Sequence, residues 1–176
     1  AGWGYLTLAI DLYGGEVAAD RGEAAHLLRS LEPESVLVTL KRALDWLEAQ
    51  RDGEPLSLGV IGWSSGAGQA LRLAMSDPRP DALVVLYGEV VDSPEEAARI
   101  GCPVLGFYAA RDGWITPARV TAFKQALDQA GVKNQIFRFT TDPGFAIEPE
   151  GLQDQAYAQT VQRRMREFFG RYLAGD

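Results

Sequence analysis

Five consecutive residues, Gly62-Trp63-Ser64-Ser65-Gly66, have types and spacing suited to chemistry. They fit G-x-S-x-G, the tight turn that lifts a serine hydroxyl off the end of a strand and onto the start of a helix. Such a turn serves acyl transfer: the hydroxyl attacks a carbonyl carbon, and a neighbouring base takes its proton. The same five residues also suit a glycine-rich turn that binds an anion at a helix N-terminus. Downstream, in "VLGFYAARDGWITP", Asp112 follows an apolar run, so that nucleophile and acid come in that order along the chain. An Asp-Gly turn would use the same residues without chemistry.

Both residues need strands and helices to hold them. Leu56–Ile61 reads as the strand before Ser64, and Gly68–Met75 as the helix after it. Tyr5–Ile10, Ala82–Tyr87, Val104–Ala109 and Gln135–Phe139 read as further strands, with "RDGEP" and "SDPRPD" as breaks. Val36, Leu37, Leu40, Ala43, Leu44 and Leu47 recur at helical spacing; Ala118–Ala130 and a segment from about Gln155 to Leu173 are also helical. Strands alternating with helices predict an α/β fold, with a mostly parallel sheet of about five strands flanked by helices. In such sheets functional groups collect beyond the carboxyl ends of the strands. Asp11, Ser64, Glu89, Asp112 and the loop "TTDPGFAIEP" all lie there.

Composition narrows the function classes. The 176 residues suffice for one domain with a sizeable core, and 47% hydrophobic with 23% charged residues is ordinary for a globular protein. A net charge of −7, with scattered Lys and Arg of which only Arg163 and Arg164 adjoin, argues against a nucleic-acid partner. No apolar run reaches the ~20 residues needed to span a bilayer, and no signal-peptide pattern opens the chain. The single cysteine, Cys102, excludes an internal disulfide and makes the cytoplasm the expected location. It reads as a small apolar residue at a strand entrance. One Cys and one His without close spacing make no zinc site, so neither metal nor cofactor is expected.

Four ordered blocks carry a resemblance. "AGWGYLTLAIDLYGG", "LGVIGWSSGAG", "CPVLGFYAARDGWITP" and "FRFTTDPGFAIEP" resemble, in turn, the Pro-Asp-Leu-Tyr strand, nucleophile elbow, acid strand and Gly-His-Gly-Phe segment of the dienelactone hydrolase family of α/β-hydrolases. The resemblance covers most of the chain and implies one dienelactone-hydrolase-like domain over residues 1–176 with a partial α/β-hydrolase fold. It implies Ser64 as nucleophile where the family usually holds cysteine, Asp112 as acid, and a small-molecule ester or lactone as substrate. The Ser65 amide would be one oxyanion donor.

The chain departs from the family pattern in two places. Through "PGF", the catalytic histidine falls on Pro143, whose ring has no group that can accept a proton. The only histidine, His26, sits in "GEAAHLLRSL" and reads as a helix residue rather than a relocated base. Asp142 and Glu148 lie near the lost position and would act as weak bases only if burial raised their pKa values. The family also has strands ahead of Tyr5, one of which bears the second oxyanion donor, whereas four residues precede Tyr5 here. The sheet is then expected to open a gap, or to pair Tyr5–Ile10 directly with Leu56–Ile61.

Three readings follow: a serine ester or lactone hydrolase with an incomplete triad, a non-catalytic small-molecule-binding or regulatory protein on the same scaffold, or a shortened form of a longer hydrolase. Among the aromatic residues Trp3, Trp63, Tyr87, Trp114 and Phe145, the sequence proposes Trp63, Trp114 and Phe145 for substrate binding, beside the expected site loops.

Overall fold

The computed structural model describes residues 2–50 and 56–174, so the expected break at 51–55 lies outside the described residues. The chain divides into two compact units, Ala1–Leu56 and Ser57–Asp176.

The first unit holds helices α1 (Arg21–Ser30) and α2 (Pro33–Ala49). Asp20 caps α1 by accepting the Glu23 N–H at 2.9 Å, and Pro33 opens α2 where no intrahelical donor is needed. The helical spacing read from the sequence is realised on α2, where Val36, Leu40, Ala43 and Leu44 are buried. The expected strand at Tyr5–Ile10 does not form: those residues are irregular, and Leu6 is 61% exposed. A run apolar on both faces becomes a strand only where neighbours pair with it. Its end is nonetheless locally shaped, since the Asp11 carboxylate accepts the Tyr13 N–H at 2.8 Å and the Gly15 N–H at 2.5 Å.

The second unit is a parallel sheet of four strands rather than five, in the order β1 (Leu58–Trp63), β2 (Pro80–Leu86), β3 (Val104–Ala109), β4 (Asn134–Phe139). Helices α3 (Ser65–Ser76), α4 (Pro94–Ala97), α5 (Pro117–Gln129) and α6 (Gly151–Tyr172) connect or follow them. This is a parallel α/β architecture, a partial α/β-hydrolase fold. The two central strands are buried throughout apart from Asp81, as their unbroken apolar sequence predicts. On one face Val85, Val104 and Tyr108 pack with Ala67, Ala70 and Leu71 of α3 and with Val120, Phe123 and Leu127 of α5. On the other, Phe107 stacks against Phe137 at 5.8 Å, and Gly59 leaves room for Phe169 and Leu173 at the end of α6. No helix among the described residues is long and apolar enough to cross a membrane.

Candidate active site

Ser64 sits one position beyond β1 and one before α3, where the motif predicts it. Its φ of 52° and ψ of −126° are strained for a residue with a side chain; such strain costs ~1–3 kcal/mol and persists only where the surroundings impose it. Here they do. The Ser64 N–H donates to Leu86 O at 3.0 Å, and the Ser64 carbonyl accepts the Ala67 N–H at 3.1 Å. A Cβ on Gly62 would collide with the Gly66 carbonyl, and one on Gly88 with the Ser64 carbonyl. Ser65 opens α3, so its N–H lacks an intrahelical acceptor, as an oxyanion donor requires. The Ser64 hydroxyl caps nothing, and no described residue hydrogen-bonds to it.

Asp112 follows β3 on the same, carboxyl-end side of the sheet and is 8% exposed. Its Oδ1 accepts the Trp114 N–H at 2.8 Å and the Ile115 N–H at 2.9 Å. That turn is the Asp-Gly reading of the sequence, and it fixes the carboxylate while leaving Oδ2 without a hydrogen bond from any described residue.

The loop after β4 leaves the sheet beside the loop that carries Asp112, and its Pro143 is exposed. Ala110 N–H donates to Phe139 O at 2.8 Å and Arg111 N–H to Thr141 O at 3.1 Å, so the loop leaves the sheet alongside residues 110–112. The Arg111 guanidinium clasps Asp142 (2.7 Å from Nη2 to Oδ2) and also donates to Thr140 O at 3.2 Å. Thr141, 2% exposed, donates to Asp154 at 2.5 Å. Past Pro143, Phe145 meets Tyr87 at 6.0 Å between ring centroids, and Tyr87 lies level with Ser64 in the β1–β2 register. Tyr87 and Ser64 are also the two non-glycine residues of positive φ among those described. The residues on either side of Pro143 are therefore held, Asp142 by Arg111 and Phe145 by packing on Tyr87.

Asp142 is not the weak base considered from sequence. Its hydrogen bonds with Arg111 hold its carboxyl below the usual range, and the Arg111 guanidinium is correspondingly raised. Glu148 lies close enough to Tyr87 for its charge to help burial push that phenol up to about 12. His26 is exposed on α1 in the first unit, which also contains Trp3. Trp63 and Trp114 are 50% and 80% exposed, whereas Phe145 is 1% exposed, in an aromatic cluster with Phe139 and Tyr157. Burial pushes the Cys102 thiol up to about 11, in keeping with a packing role. Sequence reasoning missed the Arg111–Asp142 clasp. Its only signal was a pair of opposite charges, each one position from an expected site residue.

The dienelactone hydrolase family model matches residues 1–173. A Klebsiella pneumoniae protein assigned as a dienelactone hydrolase superposes with a TM-score of 0.78 at 24% identity, over 92% of this chain and 73% of its own. The protein m3DLH gives 0.81 at 24% identity, over 98% and 77%. A dienelactone hydrolase-like promiscuous phosphotriesterase, P91, from metagenomic libraries gives 0.77 at 20% identity, over 94% and 74%. A search of curated proteins gave no match.

Proposed function

Because the chain belongs to the dienelactone hydrolase family, we propose that it carries a site for hydrolysis of a small carboxylic ester or lactone, with Ser64 as nucleophile, Asp112 as acid and no protein base. The observation that carries the reading is the Ser64 hydroxyl, presented on a strained turn with no hydrogen-bond partner among the described residues. A hydroxyl is a weak nucleophile until a neighbour takes its proton. The Ser65 N–H is one donor for the oxyanion, and each such donor is worth ~10²–10³ in rate. Without a base among the described residues, this is a slow site that binds an ester, orients it over Ser64 and supports the developing charge through the Ser65 N–H. The exposed Trp63 and Trp114 indoles offer apolar surface to the substrate. The buried, unpaired Cys102 suits a reducing cytoplasm.

The test is Pro143→His, assayed with an aryl acetate beside the parent and the Pro143→His, Ser64→Ala double variant. An imidazole on this loop, oriented by Asp112, should raise Ser64-dependent hydrolysis by ~10²-fold, the lower end of general-base assistance. Fast parent turnover that vanishes with Ser64→Ala would instead show that another group serves as base. The alternative of a non-catalytic binding protein is favoured by one observation: the acid and the loop clasp are intact although Pro143 cannot accept a proton. It predicts no gain from Pro143→His.

A further inference from the structure

We propose that a cleft at the amino end of the sheet is a second small-molecule site, and that its ligand is an aryl carboxylate, a flat apolar ring bearing one carboxylate group. The cleft lies among Pro103 just before β3, the start of β4 and the last turns of α6. Ser64 and Asp112 stand beyond the opposite, carboxyl ends of the strands. The proposal therefore holds whether or not Ser64 is a nucleophile.

Shape points to it first. The open cleft has a volume of about 240 Å³, room for one ring and its substituent but less than a drug-sized molecule takes. Its apolar walls are Pro103, Phe168 and Tyr172. Phe168 is 5% exposed, and Tyr172 meets it edge-on at 4.9 Å between ring centroids, so the aromatic wall is held in place. On the β4 side the cleft is lined by Lys133 and Gln135, and neither side chain has an ion pair or hydrogen bond with a described residue. The backbone that carries them is fixed. The Lys133 carbonyl accepts the Val104 N–H at 2.9 Å, and Asn134 between them donates from Nδ2 to Val132 O at 3.0 Å and to Asp128 Oδ1 at 2.9 Å.

Charge then selects the ligand. The chain carries −7 overall, yet the acids around the cleft are taken. Asp128 is held by Lys124 at 2.7 Å as well as by Asn134, Glu167 pairs with Arg163 at 3.1 Å, and Asp81, near Cys102, accepts the Leu58 N–H at 2.8 Å. The carbonyl end of α6 carries partial negative charge, which Arg171 in its last turn offsets. One turn before Phe168, the Arg164 guanidinium lies 4.0 Å from the centre of the Phe137 ring, with no acid paired to it and its Nε buried without a hydrogen bond. The Lys133 ammonium is thus a cation without a counter-charge, beside an apolar wall. A carboxylate can accept from Lys133 and from the Gln135 amide, one on each oxygen, while the ring behind it covers Phe168 and Tyr172. An ammonium ligand would meet Lys133 with like charge, and a small inorganic anion would leave the apolar wall uncovered.

The experiment titrates benzoate into the parent protein and follows the amide shifts of Asn134, Gln135 and Tyr172 beside those of Ser65 and Trp114. Benzoate should move the first three saturably, with half-saturation at ~1 mM, the affinity that about nine non-hydrogen atoms support, and should leave the other two unmoved. Benzamide has the same shape without the charge and should bind about tenfold more weakly, as should benzoate to Lys133→Ala. Lys133→Arg should keep most of the affinity. Acetate, which has no ring, should give no saturable shift. Lys133 is exposed, so its variants should unfold at the parent's denaturant midpoint. Ser64→Ala should bind benzoate as the parent does. Equal affinity for benzamide, or an undiminished affinity in Lys133→Ala, overturns the proposal. So does the absence of a saturable shift at tenfold that concentration. Shifts at Ser65 and Trp114 alone, lost in Ser64→Ala, would place the ligand at the elbow and overturn it as well. None of these results bears on the hydrolase reading, which stands or falls on Pro143→His.

Discussion

The loops that follow β3 and β4 differ in kind. The loop after β3 holds its acid: Asp112 is buried and accepts two backbone amides on Oδ1, leaving Oδ2 without a bond from the described residues. The loop after β4 keeps the means of positioning, namely the Arg111–Asp142 clasp, the Thr141–Asp154 hydrogen bond and the Phe145 anchor. Where the family resemblance leads one to expect a histidine it presents Pro143. Placing a group and supplying its chemistry are thus separable properties of a loop, and the first is present here without the second.

Substitutions can break or sharpen that contrast. The largest effect should come from the anchor. Phe145→Ala removes a ring that is 1% exposed and should cost ~3–5 kcal/mol by denaturant unfolding. Trp114→Ala, at a residue 80% exposed on the acid loop, should stay within ~0.5 kcal/mol. Similar losses at both would mean the loops are not anchored differently. Next comes Asp112→Asn. In the Pro143→His background it should remove most of the ~10²-fold gain, because the imidazole loses its orienting carboxylate. In the parent it should change ester turnover little, since no imidazole is present to orient.

Smaller effects concern the clasp and the neighbouring phenol. The Asp142 carboxyl is depressed by Arg111, so the clasp is complete above the ordinary aspartate range and is lost as pH falls through the lowered value. Limited proteolysis at residues 140–145 should therefore quicken in acid, and Arg111→Ala should show the quick rate already at neutral pH. Both members are exposed, so the melting temperature should barely move. Smallest of all, Glu148→Gln should lower the Tyr87 phenol below about 12, read by ultraviolet titration. The shift should be partial, because burial is the larger cause and remains.

Much of this was written locally in the sequence. Apolar runs gave β2, β3 and β4 to within a residue or two, and G-x-S-x-G placed Ser64 because elbow geometry is decided within a few residues. Tyr5–Ile10 had the same composition as a true strand, but pairing depends on partners elsewhere in the chain, and the run alone cannot supply them. The clasp was illegible for the same reason: Arg111 and Asp142 are 31 positions apart. Asp112 was legible as a position, whereas the division of its two oxygens, one occupied and one open, emerges only when the Trp114 and Ile115 amides fold back on it.

The strand that carries the nucleophile is an edge strand of the four-stranded sheet. Because Ser64 N–H turns toward β2, alternation turns the peptide groups of Gly59, Ile61 and Trp63 the other way, where no further strand of the sheet lies. Mechanically, β1 is clamped along one side only, whereas β2 and β3 are clamped along both. Local opening is easiest where the hydrogen-bond ladder is single. The elbow therefore rides on the more compliant end of the sheet, while Asp112 stands on a stiff one. Thermal motion of the Ser64 turn relative to the rest of the sheet then comes chiefly from its own strand.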